Sequence, residues 1–406
     1  MADRPPRRRG KAREQSSEPP AVHLRSACYG AFLYRKMVAR VAASVRDGDL
    51  VPVIDKRGET FGWGFYNSQS KIALRMVSFG AEKPAQTYLA DRIHAAVRLR
   101  RDVLKLDGAT DAYRVIHAEG DALSGLIADR FGSCIVLELF SKAMFLRLEE
   151  IRRALGEALP AEVQNVVMRA DDDVQRQENF RMGKLADAPR RTVTVTENGV
   201  RFEVDLTKGH KTGFFCDQRD NRLALTELTA GADMLDMCCY TGGFSCHAAG
   251  RGGAKSVTAV DIDEPALDVA RRNVKLNRLS EKVEVKQSDA FDFFRYALRD
   301  GRSWDVVVLD PPKFVPDRDE MARGMRKYAD LNFLAAGVVR PGGLLLTCSC
   351  SGLVDREAFL HTIGRSVRKA GRRAQILRMT GAGADHPVMT DALEGEYLKA
   401  AWLRLD

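Results

Sequence analysis

No apolar run in this chain approaches the roughly 20 residues that a membrane-spanning helix needs. No apolar segment follows the arginines near the N-terminus, so a secretory leader is not expected. A transit peptide fits no better, because Asp3, Glu14 and Glu18 interrupt the stretch and its prolines break any amphipathic helix. Cysteine is sparse, 8 in 406 residues, and scattered rather than spaced as a scaffold. That argues for reduced thiols in a cytoplasmic protein. Zinc would need four ligands, and no second cysteine pair has ribbon or finger spacing. Asp171-Asp172-Asp173 reads as a solvated loop, so no metal is expected. A complete G-x-G-x-x-G is also missing, which weakens a nicotinamide reading.

What is present describes an ordinary globular protein, 45% hydrophobic and 29% charged, long enough for two or three domains. The net charge of +9 favours a polyanionic partner such as nucleic acid. Residues 1–20 are basic and proline-rich and read as a disordered tail. Residues 21–84 read as a small β-rich unit, with strands around Phe61–Asn67 and Ile72–Val77. Residues 85–191 form a mixed α+β region, with helices expected over Leu89–Leu104 and Phe145–Leu159. Residues 192–406 open on a hairpin whose Asn198-Gly199 turn is the strongest short hairpin signal.

From Asp233 onward, strands and helices alternate. Strands are expected at 234–238, 256–261, 282–286, 304–309, 343–348, about 373–379 and 396–403. Alternation of this kind means an α/β Rossmann-like domain with a mainly parallel sheet, whose ligands bind beyond the carboxyl ends of its strands. The rest of the chain is organised around Leu235–Ser245. There an apolar run stops at Cys238-Cys239-Tyr240-Thr241-Gly242-Gly243-Phe244 before a helix begins. The two glycines allow close approach of backbone to a ligand. Asp236, Asp261, Asp289, Asp310 and Cys348 all fall at strand ends or just after them. Asp261 has roughly the spacing at which an acid reaches a ribose. Ahead of the first strand, Gln218 and Arg219 open a helix and could meet a ligand carboxylate, or simply cap and salt-bridge. The prolines of Asp310-Pro311-Pro312-Lys313-Phe314 fix a rigid turn. In Thr347-Cys348-Ser349-Cys350-Ser351, a thiol at the strand end reads as a nucleophile rather than a structural cysteine.

Together these motifs resemble a class I S-adenosylmethionine-dependent methyltransferase. With Lys211–Arg222 in front, the chain from about residue 45 onward resembles the bacterial large-subunit (23S) rRNA cytosine-C5 methyltransferases with an N-terminal PUA domain. Asp385-His386-Pro387 and Glu396-Tyr397-Leu398-Lys399 extend the likeness. Ser26–Gly30 and Gln175–Asn179 depart from the family pattern. The resemblance implies a PUA domain, a middle domain and a catalytic domain. It also implies S-adenosylmethionine as cofactor and 23S rRNA as partner, with a homodimer left open. The cofactor-binding residues so implied are Gln218, Arg219, Asp236, Tyr240–Phe244, Asp261, Ile262, Asp289, Ala290 and Asp310.

The implied chemistry wants a cysteine. A thiolate adding to C6 makes C5 of cytosine nucleophilic enough to take a methyl group. By its Thr-Cys-Ser position Cys348 is the expected nucleophile and Cys350 the second candidate, with assistance to elimination as its alternative role. Lys313 is expected to favour the thiolate and Asp310 to hydrogen-bond cytosine N3. N-methylation of a base through the Asp-Pro-Pro loop, and a non-catalytic RNA-binding protein, are the competing readings.

Overall fold

A computed structural model describes residues 19–163, 165–183, 192–206 and 213–406. The basic tail up to residue 18 and the Lys208–Thr212 part of the glycine-punctuated loop lie outside these. No helix among the described residues is long and apolar enough to cross a membrane.

The N-terminal unit is a six-stranded sheet in the order Phe32–Tyr34, Ile72–Phe79, Thr60–Tyr66, Leu50–Ile54, Val22–Leu24, Val38–Val41. Its alternating apolar residues Val22, Leu24, Leu33, Val51, Val53 and Leu74 close over a small core. A four-stranded sheet follows, covered by helices Tyr88–Arg98 and Leu148–Ala158. Both helices are shorter than their periodicity suggests. The first loosens into a wider turn at Leu99–Val103, and the second is split at Arg147, whose φ of −106° and ψ of 15° leave the helical region. Asp171, Asp172 and Asp173 are exposed, and Asp171 has a capping role besides. Its side chain accepts the Asp173 amide at 2.7 Å and starts helix Asp172–Glu178.

Glu178, at the end of that helix, joins the first two sheets. Its carboxylate accepts from Asn67 Nδ2 (2.9 Å), Ser70 Oγ (2.6 Å) and Arg75 Nη2 (3.2 Å). The departure from the family pattern at Gln175–Asn179 therefore contains a buried ionic hub.

The hairpin forms as its turn dictates, Thr192–Glu197 against Val200–Asp205, with Asn198 and Gly199 at φ of 50° and 85°. It packs Val193, Val195 and Phe202 against the catalytic core. That core surrounds seven strands: β1 (Asp233–Met237), β2 (Ser256–Asp261), β3 (Val283–Gln287), β4 (Trp304–Leu309), β5 (Val339–Ser349), β6 (Ala374–Thr380) and β7 (Lys399–Leu405). Their spatial order is 3-2-1-4-5-7-6, and β7 alone runs antiparallel to both of its neighbours. The central strands are mostly apolar because both faces are covered, with Asp236 of β1 a buried exception. One face carries Met234, Ala259, Val308 and Leu346 under helices α1 (Gly243–Ala249) and α2 (Glu264–Leu276). The other carries Leu235, Val260, Val307 and Leu345 under α3 (Ala290–Arg299), α4 (Met321–Val338) and α5 (Arg356–Lys369).

Candidate active site

Strand register builds the site. Met237 lies opposite Val260 on one side and Leu309 on the other, and Leu309 lies opposite Thr347. The residues that follow, Cys238, Asp261, Asp310 and Cys348, therefore fall along one edge of the sheet. This is the carboxyl edge at which β1 and β4 diverge to opposite sides, the switch point of such sheets.

Next to β1 the backbone is forced. Cys238 and Tyr240 adopt φ of 64° and 50°, and Gly242 adopts 79°. Non-glycine residues in this region are uncommon and need fixing by their surroundings. Asp261 supplies that: its Oδ2 accepts the Tyr240 amide at 2.8 Å and its Oδ1 the Asp263 amide at 3.0 Å. Asn273 holds the Thr241 carbonyl at 3.0 Å. At Gly243 an added Cβ would meet Arg222 Cδ at 3.1 Å. Arg222 runs behind the loop to fork onto buried Glu197 at 2.7 and 2.8 Å.

Asp236 sits beneath the loop, fully buried. Its Oδ2 accepts both the amide (2.9 Å) and the hydroxyl (2.6 Å) of Ser245, while its Oδ1 is buried without a partner. Burial pushes its carboxyl up to about 6, against the opposing Ser245 bonds. Ile262, beside Asp261, is 63% exposed, an apolar side chain held in solvent at the site's rim. Asp289 caps α3, accepting the amides of Phe291 (2.8 Å) and Asp292 (3.2 Å), with half-buried Ala290 following it. An orphaned buried oxygen, a glycine-bearing loop and an exposed apolar rim fit a ligand with an amine or hydroxyl donor and a flat apolar base.

The side chains of two of the expected ligand contacts are engaged by the protein itself. Phe244 is 5% exposed and packs into the core. Only its backbone is available to the loop. Arg219 is buried, forking onto Asp385 at 2.9 and 3.0 Å while its Nε bonds Asp220 at 3.0 Å. Its guanidinium is engaged by these two carboxylates, the salt-bridging alternative that the sequence left open. Gln218 does face the site. Its Nε2 donates to Asp310 Oδ2 at 3.0 Å, and its Oε1 accepts from Asn221 at 2.6 Å.

The two thiols differ sharply. Cys348, within β5, is fully buried among core residues. Burial pushes its thiol well up, and the charge of Asp310 adds to this. Cys350 lies one residue beyond the strand end, half-buried, with Sγ 4.0 Å from the Pro311 carbonyl. Ser351 fixes the same corner: its Oγ accepts the Val315 amide at 3.1 Å and lies 2.9 Å from the Tyr328 hydroxyl. The Asp-Pro-Pro loop and Cys350 are thereby clamped together.

Lys313 is exposed and makes no hydrogen bond or ion pair among the described residues. A second, buried cation stands at this corner: Lys399, the first residue of β7, paired with Ser349 in register. It is 2% exposed, and its Nζ donates to the carbonyls of Ser351 (2.7 Å) and Tyr397 (2.8 Å). Sequence reading noted Glu396–Lys399 but gave the lysine no role. The available signal was a cation heading the otherwise apolar run Ala400-Ala401-Trp402-Leu403.

Comparison with known proteins follows this geometry. A family model described as S-adenosylmethionine-dependent methyltransferase matches residues 113–381, and one described as a PUA-like domain matches residues 31–79. The ribosomal RNA large subunit methyltransferase I of Photobacterium profundum is 39% identical over 359 residues, covering 87% of this chain and 89% of that protein. The Alteromonas mediterranea protein of the same name is 36% identical over 372 residues, covering 91% and 93%. In fold, the chain matches a SAM-dependent methyltransferase structure from Streptococcus mutans with a TM-score of 0.79 at 20% identity, covering 95% of this chain and 100% of that one. A methyltransferase structure complexed with SAH matches with a TM-score of 0.77 at 21% identity, covering 92% and 95%.

Proposed function

Because this chain belongs to the S-adenosylmethionine-dependent methyltransferase family, with a PUA-like domain ahead of it, we propose that it methylates C5 of a cytidine in large-subunit (23S) rRNA, with Cys350 as the nucleophile. The observation that carries the reading is the half-buried Cys350 sulfur, 4.0 Å from the Pro311 carbonyl of the Asp-Pro-Pro loop. Such a thiol at the carboxyl edge of the sheet is open to a base. Cys348, the candidate favoured by motif position, is closed off by burial.

In this reading Asp236, the 240–244 backbone, Asp261, Ile262 and Asp289 hold the methyl donor. Unpartnered Asp236 Oδ1 takes a donor group, Asp261 and Asp289 polar edges, and Ile262 an apolar face. Bound S-adenosylmethionine supplies an electrophilic sulfonium methyl. The Cys350 thiolate adds to C6 of the cytosine, and the electron pair released along the ring lets C5 form its bond to the methyl group, whose bond to the donor's sulfur would break to leave a neutral thioether. A base then removes the C5 proton, the C6–S bond breaks, and the thiolate is restored. Asp310 stands beside the loop, steadied by Gln218, where it can hydrogen-bond N3 as charge builds on the ring. An exchange-ready base outside the duplex stack is required for such chemistry.

The names of the relatives support rRNA as the substrate, and the net charge of +9 agrees with a polyanion. The test is nucleoside analysis of 23S rRNA after incubation with the protein and isotope-labelled methyl donor. Label in 5-methylcytidine supports the reading. Label only in an N-methylated base overturns it in favour of transfer to an exocyclic or ring nitrogen at the same loop.

A further inference from the structure

Lys399 is a buried cation without the partner that burial normally demands. Transfer of an ammonium from water is costly unless an anion accompanies it. Yet no carboxylate lies within ion-pair distance of Lys399 among the described residues. Two of its three protons bind neutral carbonyls, of Ser351 and Tyr397. The third has no acceptor there.

Three groups bring charge to this lysine. Cys350 does so from the strand-end loop, Glu396 from the segment ahead of β7, and Asp355 from the start of α5. Both acids have other work. Glu396 pairs with Arg356 at 3.1 Å, and Asp355 caps α5 by accepting the Ala358 amide at 2.7 Å. Of the three, Cys350 is the one whose neighbour in sequence, Ser351, is bound by the lysine itself, and its thiol can become an anion.

We propose that Lys399 is a positioning residue that holds Cys350 as its thiolate: the buried ammonium, pinned by the Ser351 and Tyr397 carbonyls, supplies the positive charge against which the sulfur loses its proton. The inference rests on Cys350 being the nucleophile. Its energetics are reciprocal. Burial pushes Lys399 down to about 8, and Cys350 pulls it back up. Whatever the thiolate does to favour the ammonium, the ammonium does equally to favour the thiolate, so the two titrate as a pair. The arrangement also explains why Cys348, two residues earlier, does not share the role: burial and Asp310 both act against its ionisation.

The test is site-resolved alkylation of the full-length protein by iodoacetamide across a pH series, without RNA or methyl donor, read by peptide mass spectrometry. Exposed Cys28 is the internal reference. In the wild type the Cys350 midpoint is expected below that of Cys28. A midpoint at or above Cys28 overturns the proposal with no variant needed. Lys399→Met keeps the buried stem and removes the charge. It is expected to raise the Cys350 midpoint by about one pH unit, about a tenfold loss of thiolate at neutral pH. Lys399→Arg is expected to restore it, and a midpoint unmoved in Lys399→Met overturns the proposal. Retained methyl transfer in Cys350→Ala would instead sink the nucleophile reading, so the two ideas fail by different measurements.

Discussion

Arg219 and Asp385, 166 residues apart, form a fully buried fork, with Nη1 and Nη2 donating at 2.9 and 3.0 Å. The same carboxylate accepts the Arg114 amide at 2.9 Å, and the Asp385 carbonyl accepts Arg100 Nη2 at 2.6 Å. One acid thus ties the helix ahead of β1 to the middle sheet and to the segment before β7. Against the cost of burial, His386 and Arg219 hold its carboxyl far below the ordinary carboxylate range.

Removing that acid should therefore be severe. Asp385→Ala leaves Arg219 buried without its anion and is expected to cost about 3–5 kcal/mol in denaturant unfolding. Because the folded carboxylate binds its proton more weakly than the unfolded one, its contribution is present above about pH 4 and fades as pH falls. Wild-type stability should drop on acidification, and Asp385→Asn should flatten part of that slope. An equally steep acid limb in Asp385→Asn would contradict this.

Asp236 predicts the opposite pH sense. Burial raises its folded value to about 6, so the native state holds the proton more tightly than the unfolded chain. Its stabilising contribution is present below about pH 4 and is lost as pH rises through about 6. Asp236→Asn keeps an acceptor for Ser245 without the charge. In the absence of ligand it should melt above the wild type at about pH 8, with the gap closing at about pH 4. A gap of equal size at both would refute the assignment.

Glu178 should be the weak link between the first two sheets. Glu178→Ala leaves buried Arg75 with only the more distant Glu119, at 3.9 Å, as a carboxylate partner, at a cost of about 3 kcal/mol. Hydrogen exchange should rise in Ile72–Phe79 and stay unchanged in β1 and β4. Equal acceleration in the catalytic sheet would mean that the hub stabilises the whole chain instead.

Asp310→Asn tests the acid beside the thiol. A turnover loss of about 10²-fold, with donor affinity retained, is expected of a group that acts on developing charge. Gln218→Ala, acting through Asp310, should lose less. A variant that loses donor affinity but not turnover would move Asp310 from the chemistry to the cofactor.

The catalytic sheet was legible because parallel strands covered on both faces must be apolar runs, and β2 and β4 match their expected bounds. The Asn198-Gly199 turn and the strand-end acids were legible for equally local reasons. For Arg219 the sequence left a ligand contact and a salt bridge both open, and the salt-bridge partner was not legible because Asp385 is remote in sequence. The choice between Cys348 and Cys350 was also beyond period-two reasoning. Both sit at the same parity, and only the ending of β5 at Ser349 separates a core thiol from an accessible one. Lys399 was hidden similarly, since its burial depends on how β7 inserts beside β5.

The most direct test of the account is trapping with 5-fluorocytidine-substituted 23S rRNA and S-adenosylmethionine, reading a denaturation-resistant protein–RNA adduct. Fluorine at C5 cannot be removed as a proton, so a C6–thiol adduct should persist after methyl transfer. The account predicts an adduct in the wild type and in Cys348→Ala, and none in Cys350→Ala. Absence of any adduct while unsubstituted rRNA is still methylated would contradict covalent C5 chemistry, and an adduct lost only in Cys348→Ala would put the nucleophile at the buried thiol after all.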